Sequence, residues 1–230
     1  MKRKKSILKK KGIATKVKIG AAIATAALAA GSFFWITTGK GNKVRFPAYT
    51  ALRVIDGDTF ETNENQRIRL ASSDAPELDL CGGRQAKEAL EKMIMGKPLY
   101  IKVVYNDQYN RLVGYVYTEK IYVNKELVEK GFAYYRTEGH NTNRDEFRQS
   151  AEIARKKKLG IHGSDCTQTE NPKNKKCNIK GNIGVGNKYY FTTNCKIYSN
   201  VIMQTFQGDQ WFCTEKEAKK AGFKLAPQCP

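Results

Sequence analysis

The sequence predicts an α+β fold, mainly β, built around a small closed sheet. β-Rich runs come in two groups, first "VRFPAYTALRVI", "TFETN" and "QRIRLAS", then "LYIKVVY" and "RLVGYVYT". Asp, Gly and Asn turns separate the runs of the first group, which is typical of a β-meander. One helical pattern lies between the two groups and others follow them, so the order of elements is that of an α+β domain. A chain of 230 residues can hold this domain and an accessory segment.

Two segments after the first strands have helical signals. In "GRQAKEALEKMI", Ala86, Leu90 and Met93 recur at helical spacing, and Gly96-Lys97-Pro98 follows as a stop signal. A second, shorter helix is predicted in "NKELVEKG", directly before "FAYY".

A third helix is predicted in "NRDEFRQSAEIARKKKLG". Asn143 and Glu146, three residues apart, resemble a capping box at its start. Phe147, Ala151 and Ala154 form the stripe that we expect to be buried, and a glycine ends the segment.

The N-terminus has the pattern of a membrane-targeting segment. Residues 1–18 carry nine Lys/Arg and no acid, and an uncharged, mostly apolar run covers residues 19–38. About 20 apolar residues span a bilayer as a helix, and the basic flank stays in the cytoplasm. We therefore predict a single-pass anchor in the cell membrane with the C-terminal part outside. A cleaved signal peptide with its site at Ala27-Leu28-Ala29 is the alternative, which would give a secreted protein.

The cysteines predict disulfide bonds rather than a zinc site. Their number, six, is even, and export would place them in an oxidising compartment. The chain has no CxxC pair, and the four C-terminal cysteines are 16 to 18 residues apart, which is poor spacing for structural zinc. The pairing stays open from the residues alone, although one bridge between Cys81 and Cys166 and two within the tail would match the segments.

Four acids lie at the ends of predicted strands: Asp56, Asp58, Asp74 and Glu77. Each has an ordinary interpretation, since "DGD" is a hairpin-turn signal and "DAPE" could cap a helical turn. Together, however, they place carboxylates where neighbouring strands can bring them close to one another.

The residue types near these acids favour a hard cation and a phosphate ligand. Carboxylates without histidine suit Ca²⁺ better than Zn²⁺ or Cu²⁺, and the two histidines, His140 and His162, lie in no ligand-like cluster. Arg69 and Arg111 are fixed-charge forks of the kind that bind phosphate oxygens. Since residues 40–171 carry 22 basic and 19 acidic side chains, single arginines matter more here than overall charge.

Three ordered motifs, "VIDGDTF", "RIRLASSDAPE" and "DQYNRLVGYVY", closely resemble the thermonuclease family, whose domain is the staphylococcal nuclease-like domain. The later "GFAYY" and "EFRQSAEIARKKKLGIH" are also similar to that family. The resemblance covers residues 44–163. It implies a five-stranded OB-type barrel with three helices and a Ca²⁺-dependent phosphodiesterase that acts on DNA and RNA and leaves 3′-phosphate ends.

Matched position by position, the resemblance also implies roles for individual residues. Ca²⁺ would be bound by the carboxylates of Asp58 and Asp74 and by the backbone carbonyl of Ala75, where the family often has Thr. Arg69 and Arg111 would bind phosphate, and Glu77 would act on the attacking water. Tyr109, Tyr134 and Tyr135 would contact the substrate; packing at the barrel edge is the alternative for them. Asn110 replaces the usual Gly before Arg111 and can adopt the same left-handed turn.

The C-terminal part divides into a polar segment and a cysteine-rich module. Residues 164–176 have the composition of a linker. Residues 177–230 hold four cysteines and resemble small modules appended to exported bacterial nucleases. From residue 172 onward, ten Lys/Arg face three acids, so nucleic acid or an anionic envelope polymer is a candidate partner. The alternative is that aromatic residues form a small core and the lysines are solvated.

Two functions follow from these observations. The first is an exported or membrane-anchored nuclease, acting as a monomer. The second is a non-catalytic nucleic-acid-binding or scaffold protein that uses the OB-type barrel. Asp58, Arg69, Asp74, Glu77 and Arg111 are all present, and this favours the nuclease.

Overall fold

The computed structural model describes residues 33–38, 42–137, 143–184 and 186–230. The strands in these residues are β1 Phe33–Thr38, β2 Asn42–Tyr49, β3 Ala51–Val54, β4 Thr59–Thr62, β5 Arg67–Leu70, β6 Ser73–Asp74, β7 Leu99–Asn106, β8 Leu112–Tyr117, β9 Tyr134–Tyr135, β10 Thr167–Gln168, β11 Ile179–Gly184, β12 Asn187–Phe191, β13 Met203–Gln204, β14 Gln210–Phe212 and β15 Lys224–Leu225. The α-helices are α1 Gly83–Ile94, α2 Val123–Glu129, α3 Arg144–Lys156 and α4 Glu215–Lys220, and 3₁₀ turns cover Gly160–His162, Tyr198–Asn200 and Thr205–Gln207.

The largest sheet is a nearly closed barrel, as the sequence predicts. Its strand order is β1-β2-β7-β8-β5-β4-β3, with β5 and β8 parallel and the other neighbours antiparallel. Only Thr50 separates β2, which pairs with β7, from β3, which pairs with β4. The chain on either side of Thr50 therefore joins β3, at one end of the sheet, to β2, which is next to the other end, and five strand segments surround the core.

The predicted helices cover the barrel with the expected faces inward. Ala86, Leu90 and Met93 of α1 are buried, as is the stripe of α3 that begins at Phe147. The capping box predicted at Asn143 is not formed, since this residue makes no side-chain capping bond to the start of α3. Its backbone is outside the extended conformation that capping residues usually adopt, so the geometry for the bond is missing.

One buried amide on α2 holds the parallel strands together where they end. The Nδ2 atom of Asn124 donates to the carbonyl oxygens of Ala71 (2.9 Å) and Gly114 (3.1 Å), and its Oδ1 accepts from the Val116 N–H (2.8 Å). The Ser73 hydroxyl donates to the Asn124 carbonyl (2.9 Å). Asn124 is fully buried, so its side chain takes the place of water as the hydrogen-bond partner of backbone groups near the strand ends.

The C-terminal module is a small sheet with its own core. The strand order is β14-β11-β12-β15, and α4 begins with a capping box formed by Thr214 and Glu217. Tyr190, Phe212 and Phe223 are buried together in this core. The module thus has the aromatic core that the sequence allowed as one alternative.

One lysine of the module is not solvated. Lys180 is buried, and its ammonium donates to the carbonyl oxygens of Tyr198 (3.0 Å) and Val201 (2.6 Å). It also lies over the Tyr198 ring, 4.3 Å from the centroid. Burial lowers the pKa of Lys180, and these oxygens and the ring compensate the buried charge.

All six cysteines are paired. Cys81 bonds to Cys166, as expected from the segment layout, and the module contains Cys177–Cys213 and Cys195–Cys229.

Residues 164–176, predicted to be a linker, include β10, which pairs with β13 of the module. The Trp211 Nε1–H also donates to the Gln168 side chain over 2.7 Å. This segment is therefore held to the module by backbone and side-chain hydrogen bonds.

The predicted N-terminal helix is not supported. Residues 1–18, residues 19–32 and His140 lie outside the described residues. The last part of the predicted span, Phe33–Thr38, is strand β1, in keeping with its aromatic and β-branched residues, so a helix up to Thr38 is wrong there. Among the described residues, none of the helices is long and apolar enough to cross a bilayer.

Replacing Asn124 with Ala should strongly destabilise the fold. The change removes the amide partner of the Ala71 carbonyl and of the Val116 N–H, whereas the Gly114 carbonyl keeps the Ala71 N–H as a donor. Each buried unsatisfied group costs about 1–3 kcal/mol. We expect the free energy of unfolding, measured in urea on the full chain, to fall by about 3 kcal/mol or more. Asn200→Ala, at an exposed site, is the matched control and should change it by less than about 0.5 kcal/mol. Equal stability of the two variants would contradict the role of Asn124.

Candidate active site

The turn between β3 and β4 presents the first carboxylate. The Asp58 N–H donates to the side chain of Asp56 (3.0 Å), which shapes the predicted "DGD" turn. Asp58 is itself only 4% exposed, and it accepts from the Thr59 hydroxyl (2.8 Å) and the Ala75 N–H (2.9 Å). The local turn and the function expected of Asp58 are therefore compatible.

Arg69 joins this carboxylate to the second one. Arg69 lies on β5 opposite Thr59 of β4, so its side chain reaches the start of β4. One guanidinium nitrogen pairs with Asp58 Oδ1, and the other pairs with Asp74 Oδ1. With its side chain 19% exposed, Arg69 brings two acids that are 16 positions apart in sequence to one point.

The second carboxylate is fixed by a short pair of strands. Asp74 of β6 lies opposite Tyr134 of β9, and the Tyr134 hydroxyl donates to Asp74 Oδ2. The same oxygen accepts from Nη1 of Arg136 at 3.2 Å. Both oxygens of Asp74 therefore have donors, two of which are arginines.

Burial sets the proton affinities of these groups. Burial raises the pKa of Asp58 to about 7, although Arg69 opposes this shift. Burial also raises the pKa of Tyr134, and its hydrogen bond to Asp74 adds to the rise, so the tyrosine is a stable donor. For Arg69, burial acts to lower the pKa, but the attraction of Asp58 and Asp74 raises it above the ordinary value. Two buried acids that require a positive partner are the main electrostatic feature of this site.

A hairpin turn after β7 carries the second predicted arginine. Asp107 accepts from the Arg111 Nε–H (2.7 Å) and from the N–H groups of Tyr109 and Arg111 (both 2.9 Å). Asn110 has a φ of 58°, the left-handed conformation expected from its replacement of glycine. The Arg111 guanidinium lies 5.2 Å from the centroid of the Tyr109 ring, which is 67% exposed.

These arginines open onto one cavity of about 770 Å³. Its lining residues are Arg69, Tyr105, Asn106, Asp107, Gln108, Tyr109, Arg111, Val113, Arg136 and Thr137. The structure thus brings the two predicted arginines and Tyr109 to the same cleft.

Two other predicted residues are placed differently. Glu77 is exposed, and within the described residues its carboxylate makes no hydrogen bond or ion pair. The Tyr135 ring stacks on Phe147, with centroids 5.7 Å apart, and it packs against the barrel core.

Comparison with known proteins shows what the segment that carries Arg69, Asp74 and Arg111 is similar to. Residues 67–163 match the family model of the staphylococcal nuclease homologues. This segment of the chain is therefore similar to the staphylococcal nuclease homologues.

Several relatives are similar to part of the chain. A probable staphylococcal-like nuclease of Oryza sativa subsp. japonica is 44% identical over 71 residues, 31% of this chain and 22% of that protein. An uncharacterized endonuclease of Escherichia coli is 34% identical over 87 residues, 36% of this chain and 57% of that protein. One of Haemophilus influenzae is 30% identical over 115 residues, 48% of this chain and 63% of that protein. The chain therefore spans less than two thirds of the length of each of these relatives.

The carboxylate oxygens of this site fit a hard divalent cation. Asp58 and Asp74 are buried, and an oxygen of each faces the same guanidinium, so the two carboxylates already converge on a positive charge. The backbone of Ala75 is in contact with Asp58. No group of three or more His, Cys, Asp or Glu among the described residues is arranged to hold a metal. The two carboxylates would thus need a carbonyl or water to complete the shell, which suits Ca²⁺ or Mg²⁺.

Sequence reasoning missed two contributors to the nuclease site. Arg136 lines the cleft and contacts Asp74, and its only sequence signal is its position directly after "GFAYY". Asn124 supports the segment that carries Asp74, but an asparagine in a helix has no pattern that indicates this role.

Gly57 is a position beside Asp58 where any side chain should disturb the site. A Cβ atom there would lie 2.5 Å from Ala86 Cβ and 2.6 Å from Ala75 Cβ, so the turn beside Asp58 must move. We expect Gly57→Ala to lower the free energy of unfolding by about 1–3 kcal/mol in a urea titration of the full chain. Gly184→Ala is the control, because its added Cβ would be 3.9 Å from its nearest neighbour and it should be close to neutral. A fully stable Gly57→Ala variant would show that the turn is not packed in this way.

Proposed function

We propose that the protein is a Ca²⁺-dependent nuclease that hydrolyses phosphodiester bonds in DNA and RNA. The observation that carries the proposal is the convergence of Asp58 and Asp74 on Arg69, beside a cleft that also contains Arg111. The family of the domain and the relatives named as endonucleases support the same reaction.

The proposed metal ligands are Asp58, Asp74 and the Ala75 carbonyl. When bound, Ca²⁺ would supply positive charge to a phosphate oxygen and hold a water molecule near it. The two aspartates are buried, and Asp58 is fixed by donors from Thr59 and Ala75, but Arg69 must move from their oxygen atoms before a cation can bind. Tyr134 would keep Asp74 in place through its hydroxyl.

The arginines would bind the phosphate group. Arg69 and Arg111 stay charged at any physiological pH, and each presents several N–H donors to oxygen atoms. Charge builds up on the phosphate oxygens in the transition state, and preorganised donors in a cleft stabilise it strongly. Tyr109 is exposed at the cleft and offers its ring face to a nucleobase.

Glu77 would orient or deprotonate the attacking water. Its carboxylate is exposed and makes no ion pair in the described part of the chain, so an approaching water has access to it. Pro76 restricts the backbone between Asp74 and Glu77, which keeps the two acids in different surroundings. We further propose 3′-phosphate products, on the family resemblance.

We also propose that the protein acts outside the cytoplasm, held by the N-terminal segment or released after cleavage. Three disulfide bonds support an oxidising compartment, since such bonds are rare in reducing ones. The excess of lysine in the module would add attraction for an anionic polymer such as the substrate.

The test is cleavage of single-stranded DNA by the purified full chain, with Ca²⁺ and with a chelator. We expect cleavage only with Ca²⁺, and a loss of about 100-fold or more in rate in Glu77→Gln and in Arg111→Ala. Glu64→Gln, at an exposed turn away from the cleft, is the matched control and should keep the full rate.

Absence of cleavage with Ca²⁺, or equal rates in all variants, would overturn the proposal. If the chain then still binds the DNA, the non-catalytic OB-type binding protein is the better description.

A further inference from the structure

Arg136 is a third arginine of the cleft, and it differs from Arg69 in how it is held. It follows β9 directly, its side chain is 65% exposed, and it lines the same cavity as Arg69 and Arg111. Its contact to Asp74 Oδ2, at 3.2 Å, is single and long for a charged pair. Arg69, by contrast, is mostly buried and pairs with two acids.

The contact with Asp74 indicates when the Arg136 side chain becomes available to bind a ligand in the cavity. Among the described residues, Arg69 and Arg136 are the cations that pair with Asp58 and Asp74. These are also the carboxylates proposed to bind Ca²⁺, so a divalent cation would compete with the guanidinium groups for the same oxygen atoms. Arg136 is bound less tightly to the carboxylates than Arg69 and is more exposed. Its side chain would therefore turn to the cavity at little cost in free energy.

The cavity has room for more than the phosphate under attack. Its volume of about 770 Å³ lies well within the range of pockets that enclose a whole ligand of several groups. Three arginines around it exceed what one phosphate needs, because a single guanidinium already binds two phosphate oxygens.

We propose that Arg136 binds a phosphate next to the scissile one, and thereby makes the cleft selective for polynucleotides over single phosphodiesters. This inference rests on the proposed function, because it assigns the neighbouring phosphate of the same substrate. Arg136 is a specificity residue in this scheme, and its contact to Asp74 is the resting position of its side chain.

Kinetics with two substrates test the selectivity. In the full chain with Ca²⁺, Arg136→Gln should raise KM for an oligothymidylate about tenfold and leave kcat nearly unchanged. The rate with bis(p-nitrophenyl) phosphate, which has one phosphate, should change less than twofold. Arg136→Lys should restore part of the affinity, since it keeps the charge but loses the fork. Arg53→Gln is the matched control, because Arg53 is exposed on β3, pairs with Glu61 and does not line the cleft.

Equilibrium binding gives a second readout that does not depend on turnover. The Arg136→Gln change is made in a Glu77→Gln background, and the oligothymidylate is checked for integrity. Fluorescence anisotropy then measures the affinity of the protein for the oligothymidylate as a function of salt concentration. Loss of one phosphate contact should reduce the slope of log K against log[salt] by about 0.7. The slope for Arg53→Gln should not change.

The outcomes separate the two proposals. An unchanged salt slope, or equal losses with both substrates, would mean that Arg136 only supports Asp74, and the inference would be wrong. If no variant cleaves either substrate but the slope still falls, the phosphate contact stands and the nuclease proposal fails.

Discussion

The bridge from Arg69 to Asp58 and Asp74 is the interaction on which the site depends. Three parts of the chain meet in it: the turn after β3, strand β5, and the β6 segment beyond the end of the parallel pair. A buried carboxylate without a partner is costly, and removal of one member of a buried ion pair typically costs about 3–5 kcal/mol. The register of β4 against β5 and the hydrogen bonds of Asn124 around Ala71 and Ser73 keep the two acids within reach of one guanidinium. The barrel therefore acts as the frame that makes this convergence possible.

Local sequence patterns were sufficient to predict most elements of the fold. They were not sufficient to predict the long-range contacts. The span of α1 follows directly from its apolar spacing, and the left-handed turn at Asn110 follows from the residue type. Asp58, Arg69 and Asp74 could be named together because ordered motifs resemble a family. Asn124 could not be named in this way, because its partners are defined only when α2 packs over the strand ends. At Phe33–Thr38 the structure has a strand where a helix was predicted, because the length of an apolar run does not by itself distinguish a strand from a helix.

The C-terminal module is joined to the barrel domain close to the site. The disulfide from Cys81 fixes the chain just after Glu77 to Cys166, and Cys166 accepts a backbone hydrogen bond from Thr205 of the module. Phe206, next along the chain, lies 5.9 Å from the Tyr134 ring, and Tyr134 donates to Asp74. A composition change in the sequence suggested a linker and an independent appendage. The contacts instead make the module part of the packing behind one of the proposed metal ligands.

The charges in the cleft explain why overall basicity is a poor guide to substrate binding here. Three arginines pair with three aspartates: Arg69 with Asp58 and Asp74, Arg136 with Asp74, and Arg111 with Asp107. In this arrangement the three arginines and three aspartates carry no net formal charge. A divalent cation on Asp58 and Asp74 would leave the charges of Arg69 and Arg136 uncompensated, while Arg111 would stay paired with Asp107. If the proposed metal site is correct, affinity for nucleic acid should rise with its occupancy. By linkage, nucleic acid must then strengthen cation binding by the same factor. The near-neutral middle of the chain is thus compatible with tight binding that depends on a cation, because a cation at the proposed ligands would free the charges of two arginines.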